Sequence, residues 1–148
     1  MKVNMNELVP LIKEVIARGT SFRMYPNGRS MLPTIVAGKD SVDLSLPVGL
    51  KKYDIVLYSR DNGQYVLHRI VKVHGEYFDM CGDAQHCIEK NVHSDNVIAL
   101  VSAVYKGDKC IKRNSKSFIL YAYFLYKQKA IKRMGLKLKS VYKRILKR

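Results

Sequence analysis

Tryptophan is missing from this chain, cysteine is limited to three residues and proline to four among 148. Cys81, Cys87 and Cys110 form an odd set without a pairing pattern, which excludes a disulfide framework and points to a reducing compartment. Cys81, His86, Cys87 and His93 lack the Cys-x-x-Cys pair of a common zinc site, so no metal and no cofactor is expected. No apolar run reaches the roughly 18 residues of a membrane span. The N-terminus also lacks the apolar core of a cleavable signal peptide. The expected location is therefore cytoplasmic or peripheral to a membrane.

Acid is nearly absent from one part of the chain. Residues 1–105 carry 12 Lys/Arg against 11 Asp/Glu, whereas residues 106–148 carry 15 Lys/Arg against Asp108 alone. The net charge of +15 thus belongs to a basic tail on a nearly neutral body. Whole-chain basicity is no argument for nucleic-acid binding by the body.

What is present reads as a mainly β domain between two helices. Residues 6–19 place Leu8, Leu11, Ile12, Val15 and Ile16 on one helical face, with Gly19 as the stop. From Ser21 the pattern becomes β: Phe22 and Met24, Val42 and Leu44, then a short buried strand over 55–58. Asp61-Asn62-Gly63 signals a hairpin into a long strand over 64–73. Strands over 76–81, 97–105 and 109–112 follow, and residues 82–96 read as irregular. Short strands at regular spacing imply a single β body over 21–113. Residues 1–20 form the helix packed on it, and 114–148 a basic amphipathic helical tail carrying Ile131, Met134, Leu138, Val141, Tyr142 and Ile145 at helical spacing.

The chemistry concentrates in Gly28-Arg29-Ser30-Met31-Leu32-Pro33-Thr34. A serine hydroxyl is a poor nucleophile without a neighbouring base. Gly28 permits a turn closed to other residues, Pro33 stiffens the chain after Ser30, and the Ser30 N–H is a candidate oxyanion donor. The candidate base is His68. In an extended strand it shares a face with Val66 and Ile70, where burial favours its neutral form. A loop serine and a core histidine are the bland alternatives to this pairing.

Taken together, Ser30-Met31-Leu32-Pro33-Thr34, Tyr53-Asp54-Ile55-Val56, His68-Arg69-Ile70 and Gly82-Asp83-Ala84 resemble the ordered motifs of signal peptidase I. The likeness is to the Ser–His branch of endoplasmic-reticulum, archaeal and some Gram-positive enzymes, within the LexA/signal peptidase superfamily. It covers roughly residues 20–106. The resemblance implies a LexA/signal-peptidase-like β body and a serine endopeptidase with Ser30 as nucleophile and His68 as general base. It implies that Asp83 either orients His68 or pairs with Arg69, and it places a second acid at Glu89. Gly28, Ser30, Met31 and Pro33 would form the oxyanion and binding segment. The substrate would be a leader or signal-type peptide, bound as an extended strand with small residues near the cut bond. Tyr53 stands where the family usually has glycine. Gly28 stands where many bacterial members have an oxyanion-donating serine, and Ala84 and Gln85 replace the usual asparagines. LexA-type self-cleavage is not expected, because Ala37-Gly38 lies downstream of Ser30.

The tail, from Phe118 to Arg148, has three readings. One is a helix in the interface of an anionic membrane, favoured by its apolar and cationic faces. Nucleic acid is the less favoured partner, supported by charge alone. The third is a solvated helix docked on its own body. For the whole chain, the alternatives to a peptidase are a catalytically inactive peptide-binding relative and a nucleic-acid-associated regulator.

Overall fold

The computed structural model describes residues 3–146 of the chain. The first helix, α1 (Met5–Ala17), begins at Asn4, whose side chain accepts the Asn6 N–H at 3.1 Å. A cap of this kind contributes about 1 kcal/mol. The helix buries Val9, Ile12 and Ile16 and leaves Leu11 exposed, which corrects the expected apolar face. Positions 9, 12 and 16 follow the three-and-four spacing of one helical stripe, and Leu11 lies more than a third of a turn, roughly 130°, from its centre.

Eight strands follow: β1 (Phe22–Met24), β2 (Ser41–Ser45), β3 (Ile55–Ser59), β4 (Tyr65–His74), β5 (Tyr77–Cys81), β6 (Glu89–His93), β7 (Val97–Lys106) and β8 (Lys109–Lys112). They form one antiparallel sheet in the order β1-β2-β7-β3-β4-β5-β6, with β8 beside β7. The mainly β class is as expected. The expected irregular stretch over 82–96 is corrected, because it contains β6. Only Val92 of Glu-Lys-Asn-Val-His is buried, so an edge strand of this composition carries no alternation to read.

Strand β3 lies within the sheet and is buried on both faces. Ile55 and Leu57 face a core shared with Ile12 and Ile16 of α1, with Val42, Leu44 and Val104, and with Met31 and Ile35 of the serine loop. Val56 and Tyr58 face a second core with Ile70, Phe78, Met80 and Leu100. The hairpin at Asn62-Gly63 pairs Val56 with His68 and Tyr58 with Val66.

The last element, α2 (Lys116–Leu146), is one helix of 31 residues. At 1.5 Å per residue it is about 46 Å long. It is not a free tail over its whole length. Phe118, Ala122 and Lys129 are buried against the body, and Tyr126 and Arg133 on the same face hydrogen-bond to it. The residues expected to form the apolar face, Ile131, Met134, Leu138, Val141, Tyr142 and Ile145, are all exposed.

Candidate active site

The site is assembled by Asp83. Its carboxylate receives two parallel bonds from the Arg69 guanidinium, Nε to Oδ1 at 2.9 Å and Nη2 to Oδ2 at 2.7 Å. Thr34 Oγ1 donates to Oδ2, and Tyr126 Oη donates to Oδ1 at 3.0 Å. Arg69 Nη1 continues to the Tyr53 carbonyl at 2.9 Å. Both side chains of the ion pair are 0 % exposed. An unpaired charge at such depth is prohibitive, so each partner holds the other in place. Three segments distant in sequence, at residues 34, 69 and 126, therefore converge on one carboxylate, and residue 53 joins them through Arg69.

This settles the choice left open for Asp83, which braces Arg69 and makes no hydrogen bond to His68. Glu89 does not touch His68 either. It pairs with Arg60, Nη2 to Oε1 at 2.6 Å. The arginine at the end of β3 lies closer to Glu89 than the imidazole does, and sequence alone gives no signal for that pairing.

Ser30 lies in the tight turns that follow β1 and is half-buried. Gly28 supplies a φ of 90° at the entry to the turn, a left-handed geometry that favours glycine. The Leu32–Pro33 peptide is cis. Met31 is anchored in the α1 core, and Ile35 N–H donates to the Met31 carbonyl at 3.0 Å. Pro33 is exposed. Among the described residues, neither the Ser30 hydroxyl nor the Ser30 and Met31 N–H groups have a hydrogen-bond partner within the chain.

The turn after β5 brings this loop to the histidine strand. Ala84 N–H donates to the Ser30 carbonyl at 2.9 Å. Gly82 packs so closely that a Cβ there would stand 2.6 Å from the same oxygen. The last ladder pair between β4 and β5 is Arg69 with Cys81. Continuing that register one step brings Gly82 level with His68. The Ser30 backbone thus crosses a glycine level with His68 in the ladder, and Ser30 lines a small cavity with Val66 and Leu67, the two residues before His68 in β4. No hydrogen bond joins Ser30 to His68.

His68 is 2 % exposed and shares its strand face with Val66 and Ile70, as expected. Its Nδ1 lies 3.1 Å from the Tyr58 hydroxyl. No fully buried polar side-chain atom among the described residues lacks a partner, so Nε2, which has none, reaches solvent. Burial, helped by the Arg60 cation, lowers its pKa from 6.5 to about 4. The imidazole is neutral at physiological pH and able to accept a proton.

Sequence reasoning missed the roles of Tyr53, Lys129 and Tyr58, besides that of Tyr126 at Asp83. Tyr53 has a φ of 77°. This left-handed backbone explains why glycine suits the position, and the Tyr53 ring is instead stacked near Tyr126, centroids 6.3 Å apart. Lys129 Nζ donates to the carbonyls of Gly82 at 3.0 Å and Gln85 at 2.8 Å, clamping the turn that holds Ser30. Burial lowers the pKa of that ammonium. The third is Tyr58. A lysine in a basic helix and a tyrosine in a buried strand carry no mark of these roles.

Comparison with protein-family models, curated proteins and solved structures gives no match to this chain. Functional inference therefore rests on the site itself and on the motif resemblance.

Proposed function

We propose that this protein is a serine endopeptidase of the signal peptidase I kind, with Ser30 as nucleophile and His68 as general base. The observation that carries the reading is the grip of one turn, residues 82–84, on both segments. It holds the Ser30 carbonyl through Ala84 and the His68 strand through Asp83 and Arg69. A merely structural serine loop has no need of an uncommitted hydroxyl and uncommitted N–H groups in a segment tied to the strand of a neutral histidine. In the reaction His68 takes the Ser30 proton as Oγ attacks the scissile carbonyl. The Ser30 N–H stabilises the oxyanion, and His68 returns the proton to the leaving amine. Water then hydrolyses the acyl-enzyme by the same path in reverse.

The surroundings suit an extended peptide. A cavity of about 120 Å³, lined by Ser30, Met31, Ile35 and Val66, has room for a small side chain next to the nucleophile. A larger groove of about 380 Å³ adjoins it, sharing Pro26, Asn27, Tyr65 and Leu67 and reaching Met5, Leu8 and Phe22. Apolar residues upstream of a small one fit this sequence of spaces. The test is cleavage of a peptide mixture with small residues at the cut, read by mass spectrometry. Cleavage by the wild type that disappears in Ser30→Ala and His68→Ala supports the reading. No product and no acyl-Ser30 adduct from any peptide overturns it.

The same protein is read as binding an anionic membrane surface. Leu120, Phe124, Ile131, Leu138 and Ile145 form an exposed stripe along α2, on the side away from the docked Phe118 and Lys129. The helix contains Lys and Arg but no Asp or Glu. Like charge opposes a second copy on that stripe, whereas an anionic interface accepts both its apolar and its cationic faces. Among the described residues, no helix is long and apolar enough to cross a membrane. Co-sedimentation with phosphatidylserine vesicles, against binding to duplex DNA over the same salt series, separates the lipid from the nucleic-acid partner.

A further inference from the structure

An imidazole that accepts a proton at Nε2 must carry its own proton on Nδ1 and donate it to something. Neither candidate acid is there, since Asp83 is committed to Arg69 and Glu89 to Arg60. The atom that meets Nδ1 is the Tyr58 hydroxyl, 3.1 Å away. The contact follows from the register. His68 stands opposite Val56 on β3, and Tyr58 is two residues further along on the same face, a diagonal neighbour.

We propose that Tyr58 is the positioning residue for His68, taking the place of a triad acid, and that Glu89 acts through it. This rests on the peptidase reading above and specifies how its base is oriented. A phenol accepts the Nδ1 proton well only if its own proton points elsewhere. The neighbouring Arg60–Glu89 pair offers that outlet: both groups act on the phenol with opposite sign, Glu89 against its ionisation and Arg60 for it, and Arg60 holds the carboxylate in place with Nε at 2.9 Å and Nη2 at 2.6 Å. In the proposed arrangement His68 Nδ1–H donates to Tyr58 Oη, and the phenol proton turns towards the Glu89 carboxylate. The Nε2 lone pair is left without a partner in the chain and open to accept a proton. Tyr58 is 0 % exposed. Burial, then Glu89, raises its pKa well above the ordinary phenol value, so it remains protonated throughout.

The charged and titratable groups acting on His68 come from several elements: Arg60 after β3, Glu89 on β6, Asp83 in the turn after β5, and Lys129 on α2. Arg60 and Lys129 oppose protonation and the two acids favour it. Tyr58 adds the one direct hydrogen bond. Its loss removes the acceptor that stabilises the imidazolium, so the acid limb of activity moves to lower pH.

The decisive measurement is long-range proton–nitrogen NMR on the full-length protein with nitrogen-labelled histidine, near neutral pH. The expected result is His68 protonated on Nδ1 in the wild type and a shift towards the Nε2-protonated form in Tyr58→Phe. Turnover of a cleaved peptide is expected to fall at least tenfold in Tyr58→Phe, with KM little changed and the acid limb displaced downward. Glu89→Gln, which keeps an acceptor oxygen, is expected to lose less. His68 protonated on Nε2 in the wild type overturns the proposal without any variant. So does a Tyr58→Phe protein that retains its tautomer, turnover and pH limb. If no peptide is cleaved but the expected tautomer is found, the peptidase reading falls while the positioning contact stands.

Discussion

Asp83 and Gly82 are adjacent residues that govern the site by opposite means, one through charge and one through the lack of a side chain. Removing Arg69 would leave the Asp83 carboxylate buried without its ion-pair partner. Arg69→Ala is therefore expected to cost about 3–5 kcal/mol of stability, read by denaturant unfolding. Gly82 needs no left-handed backbone, so its role is space alone. A methyl there would meet the Ser30 carbonyl at 2.6 Å and push the serine loop away. Gly82→Ala is expected to keep the fold, lose about 1–3 kcal/mol and lose most peptide cleavage. His68 sets the pH response. Its folded pKa of about 4 lies below the ordinary 6.5. Between those values the unfolded chain binds a proton that the folded one refuses, so stability falls as pH drops through this window. Cleavage is expected to follow the neutral imidazole and to fail as pH drops through about 4, a profile that steady-state rates would show.

Among the elements, α2 has two faces with different work. The face carrying Phe118, Tyr126 and Lys129 is part of the site, with the Arg69 guanidinium 5.0 Å from the Phe118 ring centre. Tyr126→Phe removes a donor from Asp83 and from the Cys81 carbonyl. It is expected to cost about 1–3 kcal/mol through the unsatisfied acceptors. The opposite face does not touch the body. Leu138 is 70 % exposed and Ile131 56 %. Charging them, as Ile131→Glu with Leu138→Glu, is expected to leave the melting temperature unchanged and to abolish binding to anionic vesicles. Loss of fold in that double variant would show that the stripe packs internally after all.

At the level of the whole molecule, charge and chemistry are segregated but mechanically joined. The body is close to neutral and holds the site, and nine Lys/Arg with no Asp or Glu lie on the helix that also clamps the turn after β5. Attachment to a surface through the far side of α2 would therefore place the serine loop at a fixed height above it. Each Lys or Arg near an anionic leaflet contributes about 1 kcal/mol, screened by salt. Vesicle affinity is accordingly expected to fall steeply between low and physiological salt, while Ser30-dependent cleavage of a soluble peptide changes little.

The sequence by itself determined the local features. Alternation marked β1 and β2, a short apolar run marked β3, Asp61-Asn62-Gly63 marked the hairpin into β4, and four short motifs marked Ser30, His68 and Asp83, because strand period, turn chemistry and residue type are local properties. It placed the right residues on the face of β4 that carries His68. Tertiary structure alone decided who meets whom: Asp83 with Arg69 rather than His68, Glu89 with Arg60, Tyr58 with the imidazole, and Lys129 with the turn around Gly82. Those choices depend on sheet register and on the docking of a helix more than 40 residues downstream, and on the cost of burying any charge without a partner. Composition carries no record of that competition.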